Sequence, residues 1–577
     1  MAAQNLKSGK IAKQLLKFSR RAQIKSETHI KKNLVNRVSN VKKIRIWILE
    51  WFLLVFAIIA LSAVQSVWFR NSFSATAFVP GGEYSEAVFG EISSLNPLYA
   101  STDSERVVAK LLFSSLVAID SSGSLKNDLA ESVTPEEGGR VWLVKLKEGL
   151  KWSDGRSITV EDVVYTFGVI KDPKSKTIYS ANFSNISLSV ADDALRFRLP
   201  MAYAAFPSTL TFPILPSHIL GEVDSSLLFE NSFSKTPIGS GPFKFDLINA
   251  SASRQIVRLG KNTTYYGGVP LVDFFSVHAD SGPLDPLREI SSLSVVASAP
   301  PLSSTSQKSA TPLPANGEIL LRESPLNSGA FLFFNTVSPI FSDINLRRAV
   351  ELGVDLSALR ASVGETLALD FPILDSQISL VYPAKRPLNI SEAKNLIAGS
   401  SYNQSSHVRI VAPSAEPFAT LAEQLKGNLA DLGLLSDVYL ANPDEIFSTK
   451  IRPRDYDILI YEVDLGYDPD PFPYYHSSQT SESGLNFSNY KNTLVDDLLL
   501  ASRTSLDVSA RAKKYEKFLE IWNNDVPALG IFRMSLRYYF NKNIRTFSEN
   551  SRLVSPLDRF ADVSVWAVEH EERFKTP

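Results

Sequence analysis

The segment from Trp142 to Phe167 constrains the fold of this chain more than any other, because it predicts a strand, a turn and a helix in immediate succession. The alternation from Trp142 to Leu146 has the two-residue period of a half-buried strand. Ser153-Asp154-Gly155 has the composition of a tight turn. Thr159 and Asp162 have the spacing of a capping box, and the apolar positions that follow recur at helical spacing.

A second region extends this alternation of strands and helices. Strands are predicted at Val408–Ala412, Asp437–Leu440 and Asp457–Tyr461. Between the first two, leucines from Leu421 to Leu432 fall on one side of a predicted helix, with Gly433 as its stop. Strands that alternate with helices favour an α/β fold with a parallel-type sheet.

Other parts of the second half give shorter predictions. Gly329–Asn335 is an apolar run typical of a buried strand. Asp343 is placed to cap a helix, and Tyr515 to Trp522 mark another amphipathic helix. The stretch from Ser291 to Asn316 is rich in Ser, Pro and Ala, so it predicts a long loop.

The N-terminus predicts a membrane anchor. Residues 1–45 are strongly basic, with Glu27 as the one acidic residue. Residues 46–69 follow, with an almost uninterrupted apolar core from Trp51 to Val64. About 20 apolar residues span a bilayer, and basic flanks stay in the cytoplasm. We therefore expect a basic cytoplasmic arm at 1–45, a transmembrane signal-anchor at 46–69 and a linker at 70–80. The arm has one aromatic residue, Phe18, and precedes the predicted membrane span, so we expect membrane-surface contact and no nucleic-acid binding.

A cleaved signal peptide is the alternative, because Ala75-Thr76-Ala77 resembles a cleavage site. The long distance from the apolar core to that site favours the uncleaved anchor. The chain has no cysteine, so disulfides, thiolate metal sites and a lipid-modified cysteine are excluded.

Beyond residue 80 the chain carries a series of short motifs in one order. They are Leu95-Asn96-Pro97-Leu98, Leu111 to Val117, the Trp152-Ser153-Asp154-Gly155 turn, Ile214 to His218, Pro237 to Phe245, Asn262 to Pro270, Phe334-Asn335-Thr336, Leu346 to Ala349 with Asp355, and Asp468 to Tyr490. In this order they resemble the extracellular solute-binding proteins of family 5, the peptide, nickel and opine receptors of ATP-binding-cassette (ABC) importers.

The resemblance implies a two-lobed fold of the periplasmic-binding-protein type II, or Venus-flytrap, class. It places the first lobe, with an inserted subdomain, at 81–325 plus 530–577, and the second lobe at 326–529. The ligand cleft is then expected between the lobes, the usual place for a small-molecule site.

The resemblance also directs attention to the acidic segment after the predicted strand Asp457–Tyr461. In peptide-binding relatives an aspartate of this segment pairs with the α-ammonium of the ligand, and Asp464 is its best positional match. Turn capping before proline is the alternative role for these aspartates. The predicted ligand-binding residues are Asp464, Tyr467, Asp468, Asp470, Tyr475 and His476.

No catalytic or metal-binding motif is present in the sequence: there is no H-E-x-x-H, no G-x-S-x-G elbow and no phosphate-binding loop. We therefore predict a monomeric binding protein without cofactor, metal or catalytic residues, which delivers an oligopeptide or similar solute to separate permease and ATPase subunits. A membrane-tethered sensor or chaperone-like binder is the alternative, and a surface hydrolase is a weaker one.

Overall fold

The computed structural model describes residues 17, 19–21, 23–28, 32, 41–251, 254–280, 295–298, 319–403 and 405–574. The chain divides into two compact units. The larger unit is Phe78–His570, and the smaller one combines Met1–Ala77 with Glu571–Pro577.

The strands are numbered in chain order. They are β1 Ser74–Phe78, β2 Glu83–Phe89, β3 Val117–Ile119, β4 Leu125–Asn127, β5 Ala130–Glu136, β6 Val141–Leu146, β7 Ser187–Ala191, β8 Ala194–Arg198, β9 Phe243–Ala250, β10 Arg254–Lys261, β11 Phe274–Asp280, β12 Val295–Ser298, β13 Ile319–Phe334, β14 Val408–Pro413, β15 Ser436–Ala441, β16 Ile458–Asp464, β17 Ala528–Asn541 and β18 His570–Phe574.

The longer helices are numbered in the same way. They are α1 Val41–Phe73, α2 Asp103–Leu112, α3 Val160–Lys171, α4 Ile344–Gly353, α5 Leu356–Ser362, α6 Ile390–Ala398, α7 Phe418–Asp431, α8 Thr493–Arg503 and α9 Val508–Asp525. Four-residue helical turns occur at Ser180–Phe183, Phe206–Thr209, Ser217–Leu220, Pro443–Ile446 and Phe472–Tyr475.

In the smaller unit, α1 contains the predicted anchor. Its stretch Trp47–Phe69 is 23 residues long and apolar enough to cross a membrane. The predicted linker at 70–80 needs correction, because the helix continues to Phe73 and β1 follows directly and pairs with β18.

The larger unit is built on one ten-stranded sheet with the order β15-β14-β16-β13-β17-β12-β2-β11-β10-β9. The two longest strands, β13 and β17, pair antiparallel in its middle. We call these two the crossover strands. On one side of them lie β12, β2 and β9–β11, the strands of the first lobe, and on the other lie β14–β16, the strands of the second lobe.

The crossover strands change neighbours along their length. Val295–Ser298 of β12 pairs with the late part of β17, whereas β16 pairs with β13 from Ser328 onward. The register between the crossover strands shifts between Pro325 and Gly329. The predicted lobe boundaries at 325/326 and 529/530 thus fall within the two crossover strands, and the boundaries themselves remain a prediction.

The strand, turn and helix around Trp152 form as expected. β6 and α3 occupy the predicted positions, and Thr159 and Asp162 form a capping box. Trp152 is fully buried, and its indole Nε1 donates to Asp162 at 3.2 Å. β6 lies in a four-stranded sheet, β5-β6-β8-β7, which belongs to the subdomain between β4 and β9.

The strands and helices predicted for the second lobe are present as β14–β16, α7 and α9, and Asp343 caps α4. β13 and β16 extend beyond their predicted bounds because the crossover pairing supports more backbone hydrogen bonds. The loop predicted for 291–316 needs correction at one place, since Val295–Ser298 is a strand. The rest of that stretch lies outside the described residues.

The two faces of the sheet are covered by different cores in the second lobe. Ala330, Leu332 and Phe334 of β13 belong to a large core that continues into the first lobe. Phe331 and Phe333, on the opposite face, belong to a smaller core that includes residues of α8 and α9. Directly paired residues on neighbouring strands lie on the same face of a sheet. The face of each residue paired with β13 therefore follows from the face of its β13 partner.

Candidate functional site

The candidate site lies at the carboxyl end of β16. β14 pairs parallel with both β15 and β16, so the carboxyl ends of these three strands meet at one edge of the sheet. In open α/β sheets, ligands bind in the crevice outside such an edge. The predicted acidic segment begins where β16 ends, at Asp464.

Glu462 and Asp464 lie two residues apart on β16, and so on one face of the sheet. Their β13 partners are Ala330 and Ser328. Burial raises the pKa of the Glu462 carboxyl, and the negative charges of Asp464 and Asp103 add to the rise. Burial, with Asp558 as a like charge, also raises the pKa of Asp464. We call the space that the side chains of Glu462 and Asp464 face the acidic crevice; among the described residues no lysine or arginine pairs with either carboxylate.

The opposite side of this crevice belongs to the first lobe. Asp103 is the first residue of α2, and Asp558 lies in the helical turn Pro556–Val565. Burial raises the pKa of both carboxyls, although Arg106 and Lys110 oppose the rise. Asp103 pairs with Arg106 at 3.5 Å, and Asp558 is buried in a capping box with Ser555, so both have protein partners and act on Glu462 and Asp464 through their negative charge.

Asp464 itself has two roles in the structure. Its Oδ1 accepts the backbone N–H of Gly466 at 2.8 Å, and Gly466 has a φ of +68°, a left-handed conformation that glycine adopts without strain. The aspartate therefore does cap a turn. Its side chain remains exposed to the crevice, and within the described ranges neither Asp464 nor Glu462 forms an ion pair.

Asp468 and Asp470, in contrast, are occupied by protein partners. Arg511 holds Asp468 through both guanidinium nitrogens, one of them at 3.0 Å from Oδ2. Asp470 Oδ2 lies 3.1 Å from Arg503 Nη2 and accepts the hydroxyl of Tyr203 at 3.1 Å. Two of the predicted ligand residues thus have internal partners, which leaves their charge largely neutralised.

The aromatic candidates separate into core and cavity positions. Tyr475 is 1% exposed and packs against Phe518 and Trp522, so the structure corrects its predicted place in the cleft to the core. The ring of His476 stacks on Phe472 with centroids 4.1 Å apart. Tyr467 lines a cavity of about 400 Å³ between the lobes.

A polar and aromatic cluster joins the inserted subdomain to the second lobe. The guanidinium of Arg503 lies 4.6 Å from the ring centroid of Tyr203 and 4.5 Å from that of Phe472. The backbone N–H of Ala204 donates to the carbonyl of Arg503 at 2.9 Å. We call Tyr203, Asp470, Phe472 and Arg503 the lobe latch, because their contacts join the inserted subdomain to the second lobe.

Sequence reasoning missed Glu462, Tyr203, Arg503, Arg511 and Arg533. Glu462 had a signal, since it shares a strand face with Asp464. The arginines had none, because their partners are distant along the chain. Among the described residues there is no cluster of three or more His, Cys, Asp or Glu side chains that fits a metal ion.

Comparison with known proteins identifies the family. Residues 124–484 match the bacterial extracellular solute-binding proteins, family 5 Middle, and the chain belongs to this family. It is 26% identical over 473 residues to the oligopeptide-binding protein AppA of Bacillus subtilis, which covers 78% of this chain and 85% of AppA.

Solved structures agree on the fold. The ABC transporter substrate-binding protein CtaP of Listeria monocytogenes is 22% identical with a TM-score of 0.71, and the match covers 85% of this chain and 100% of CtaP. AppA of B. subtilis in complex with a nonapeptide is 22% identical with a TM-score of 0.67, over 85% of this chain and 100% of AppA. The chain therefore has the two-lobed α/β fold of periplasmic binding proteins.

Proposed function

We propose that this protein captures short peptides between its two lobes and delivers them to separate permease and ATPase subunits of an ABC importer. The family is one of extracellular solute-binding proteins, and the relative AppA is an oligopeptide-binding protein. The observation that carries the proposal is the pair Glu462 and Asp464, two poorly compensated carboxylates at the carboxyl edge of β16.

The α-ammonium of a peptide suits this pair. A cation between the carboxylates would offset their mutual repulsion and the repulsion from Asp558. In a closed, water-poor crevice such a charge pair is worth more than in bulk solvent. The loss of one partner of a buried charge pair typically costs about 2–5 kcal/mol of binding free energy.

Closure supplies the signal to the transporter. A peptide held by Asp464 and by the first-lobe side of the crevice contacts both lobes only in the closed form. Its differential contacts therefore shift the population toward closure. The crossover strands β13 and β17 join the lobes and are the natural place for the hinge. The protein breaks no bond in its ligand in this scheme.

The α1 helix supplies the membrane attachment in this proposal. Its stretch Trp47–Phe69 is long enough to span a bilayer, and the basic residues before it favour a cytoplasmic N-terminus. The larger unit would then lie outside the cytoplasmic membrane. Detection of intact N-terminal residues in purified membranes would distinguish an uncleaved anchor from a cleaved signal peptide.

A matched pair of peptides tests ligand class and binding mode together. Residues 78–577 are mixed with a pool of free tetra- and pentapeptides and with the same pool after N-terminal acetylation. We expect free peptides to raise the thermal midpoint in proportion to the logarithm of their concentration. Acetylated peptides should bind at least tenfold more weakly, since acetylation removes the ammonium charge. Equal binding of both pools would contradict the role of the crevice, and no response to either would contradict peptide binding.

A further inference from the structure

The cavity of about 400 Å³ lies on the other side of the sheet from the acidic crevice. Gly329 of β13 pairs with Val463 on β16 and with Arg533 on β17, so the side chains of Val463 and Arg533 point to one face. Asp464 follows Val463 and points to the opposite face. The cavity is therefore separated from the proposed ammonium site by the crossover strands.

Both lobes contribute to the walls of this cavity. Ser122–Ser124 and Ser551–Val554 contribute one wall, and the backbone N–H of Arg552 donates to Ser121, which ties these two segments together. The residues from the second lobe and the crossover strands are Pro325, Asn327, Ser376–Ile378, Tyr467–Pro469, Val508, Arg511 and Arg533. The volume is within the range of small-molecule sites.

The charged groups of the lining are three arginines and one aspartate, namely Arg511, Arg533, Arg552 and Asp468. Asp468 is held by Arg511 through both oxygens, so it does not compensate the other two guanidinium groups. The hydrogen bonds of Arg533 within the described chain go to neutral oxygens, those of Leu326, Asn327 and Ser376. The cavity thus has an excess of positive charge.

Two residues of the lining each have a buried polar atom without a partner. Arg511 is 7% exposed, and its Nε has no hydrogen-bond partner among the described residues; the same holds for the buried Oγ of Ser551. Buried polar atoms in native proteins nearly always have a partner. An oxyanion has acceptor oxygens and a negative charge. Its oxygens could accept hydrogen bonds from Arg511 and Ser551, and its charge would pair with the guanidinium of Arg533.

We propose that this cavity is a second ligand site, which binds a small molecule carrying a carboxylate or phosphate group and stabilises the closed arrangement of the lobes. Arg533 provides the charge, and Arg511 and Ser551 provide hydrogen bonds. Because both lobes line the site, an anion bound there favours closure in addition to any ligand in the acidic crevice.

Anion titrations of the full chain in detergent micelles test the site. Inorganic phosphate and succinate serve as the two probes, against sodium chloride at equal ionic strength. At least one probe should raise the thermal midpoint and bind in calorimetry. Arg533→Gln should weaken that binding at least tenfold, and Arg452→Gln, which removes an exposed arginine outside the cavity, should leave it unchanged. A response no larger than that of chloride, or equal binding by Arg533→Gln, would overturn the proposal.

Two additional variants keep the test decisive. Ser551→Asp places a carboxylate in the cavity; it should raise the thermal midpoint and abolish the response to both probes. If Arg533→Gln does not fold, Ser551→Asp decides the question. A lower thermal midpoint of Ser551→Asp together with an unchanged response to both probes would refute the assignment.

Asp464→Asn should retain the full anion response. Loss of the response in Asp464→Asn would assign the anion to the peptide crevice and so exclude a second site, whatever the outcome for peptides.

Discussion

Two pairs of acidic side chains follow one another at the end of β16, and they differ in whether an arginine pairs with them. Asp468 and Asp470 each have an arginine partner, Arg511 and Arg503 respectively. Glu462 and Asp464 have no ion pair in the described part of the chain. Burial raises the pKa of both, as it does for Asp470, so the pairs differ in their counter-charges and not in the direction of the pKa shift.

The difference separates structural carboxylates from those available to a ligand. A buried charge is tolerated when it is paired and hydrogen-bonded, and is costly otherwise. Asp468 and Asp470 satisfy this condition within the protein. Glu462 is partly buried and Asp464 is exposed, and neither has a counter-charge among the described residues, so both remain available to a cation under the proposed function. Proximity in sequence to an acidic motif is therefore a weaker guide to ligand contact than the absence of a counter-charge.

The largest effect is expected when a structural pair is broken. Arg511→Met leaves Asp468 buried without its counter-charge, and removal of one partner of a buried ion pair costs about 3–5 kcal/mol of folding stability. Urea denaturation of residues 78–577 measures the free energy of unfolding. The matched variant Asp464→Asn should leave that free energy unchanged or slightly higher. Equal losses in the two variants would remove the distinction between the pairs.

The next largest effect concerns binding. Asp464→Asn keeps the shape of the side chain and removes its charge, so we expect the affinity for free peptides to fall by about 2 kcal/mol, roughly 30-fold. Asp437→Asn, on an exposed strand of the same lobe, is the control and should bind as the unmodified protein does. Calorimetry with one free peptide measures both. Unchanged affinity in Asp464→Asn would return this residue to a turn-capping role alone.

Most of the fold was predictable because it depends on local patterns. Residues close together in sequence determine three features that were predicted: the strand–turn–helix around Trp152, the cap at Asp343 and the β-α-β order of the second lobe. The strand at Val295–Ser298 was not predictable, because only its neighbours β2 and β17 distinguish it from a loop.

The candidate site was predictable only in part, because it also depends on contacts between residues that are distant in sequence. The acidic segment has a clear motif, but whether an aspartate is paired depends on arginines far along the chain. Arg511, which binds Asp468, lies on α9, and Tyr203, which donates to Asp470, lies in the inserted subdomain. Tyr467 and Tyr475 have similar sequence surroundings, yet one lines a cavity and the other is in the core.

A smaller effect is expected at the lobe latch. Tyr203→Phe removes the hydroxyl that donates to Asp470, at an expected cost of about 1 kcal/mol. Tyr165→Phe removes a comparable bond, from Tyr165 to the carbonyl of Leu220 at 2.9 Å, within the inserted subdomain. Both should lower stability similarly, but only Tyr203→Phe should also weaken peptide affinity, since it favours the open form. Equal affinities would show that the latch does not contribute to closure.

The smallest expected effect is the pH dependence of stability. A carboxyl whose pKa is raised by folding binds more protons in the folded state, so its contribution to stability falls as pH rises through that window. The double variant Glu462→Gln with Asp464→Asn should therefore be more stable than the unmodified protein near neutral pH. The difference should shrink as the pH falls toward about pH 4, because the folded protein takes up protons on these carboxyls before the unfolded chain does. A bound peptide should reverse the trend, because its ammonium favours the charged carboxylates and binding weakens as they become protonated. Urea denaturation with and without peptide, between about pH 4 and about pH 7, measures both trends. If the ligand-free difference were constant across this range, folding would not raise the pKa of Glu462 and Asp464, and their proposed role as a cation site would lose its electrostatic support.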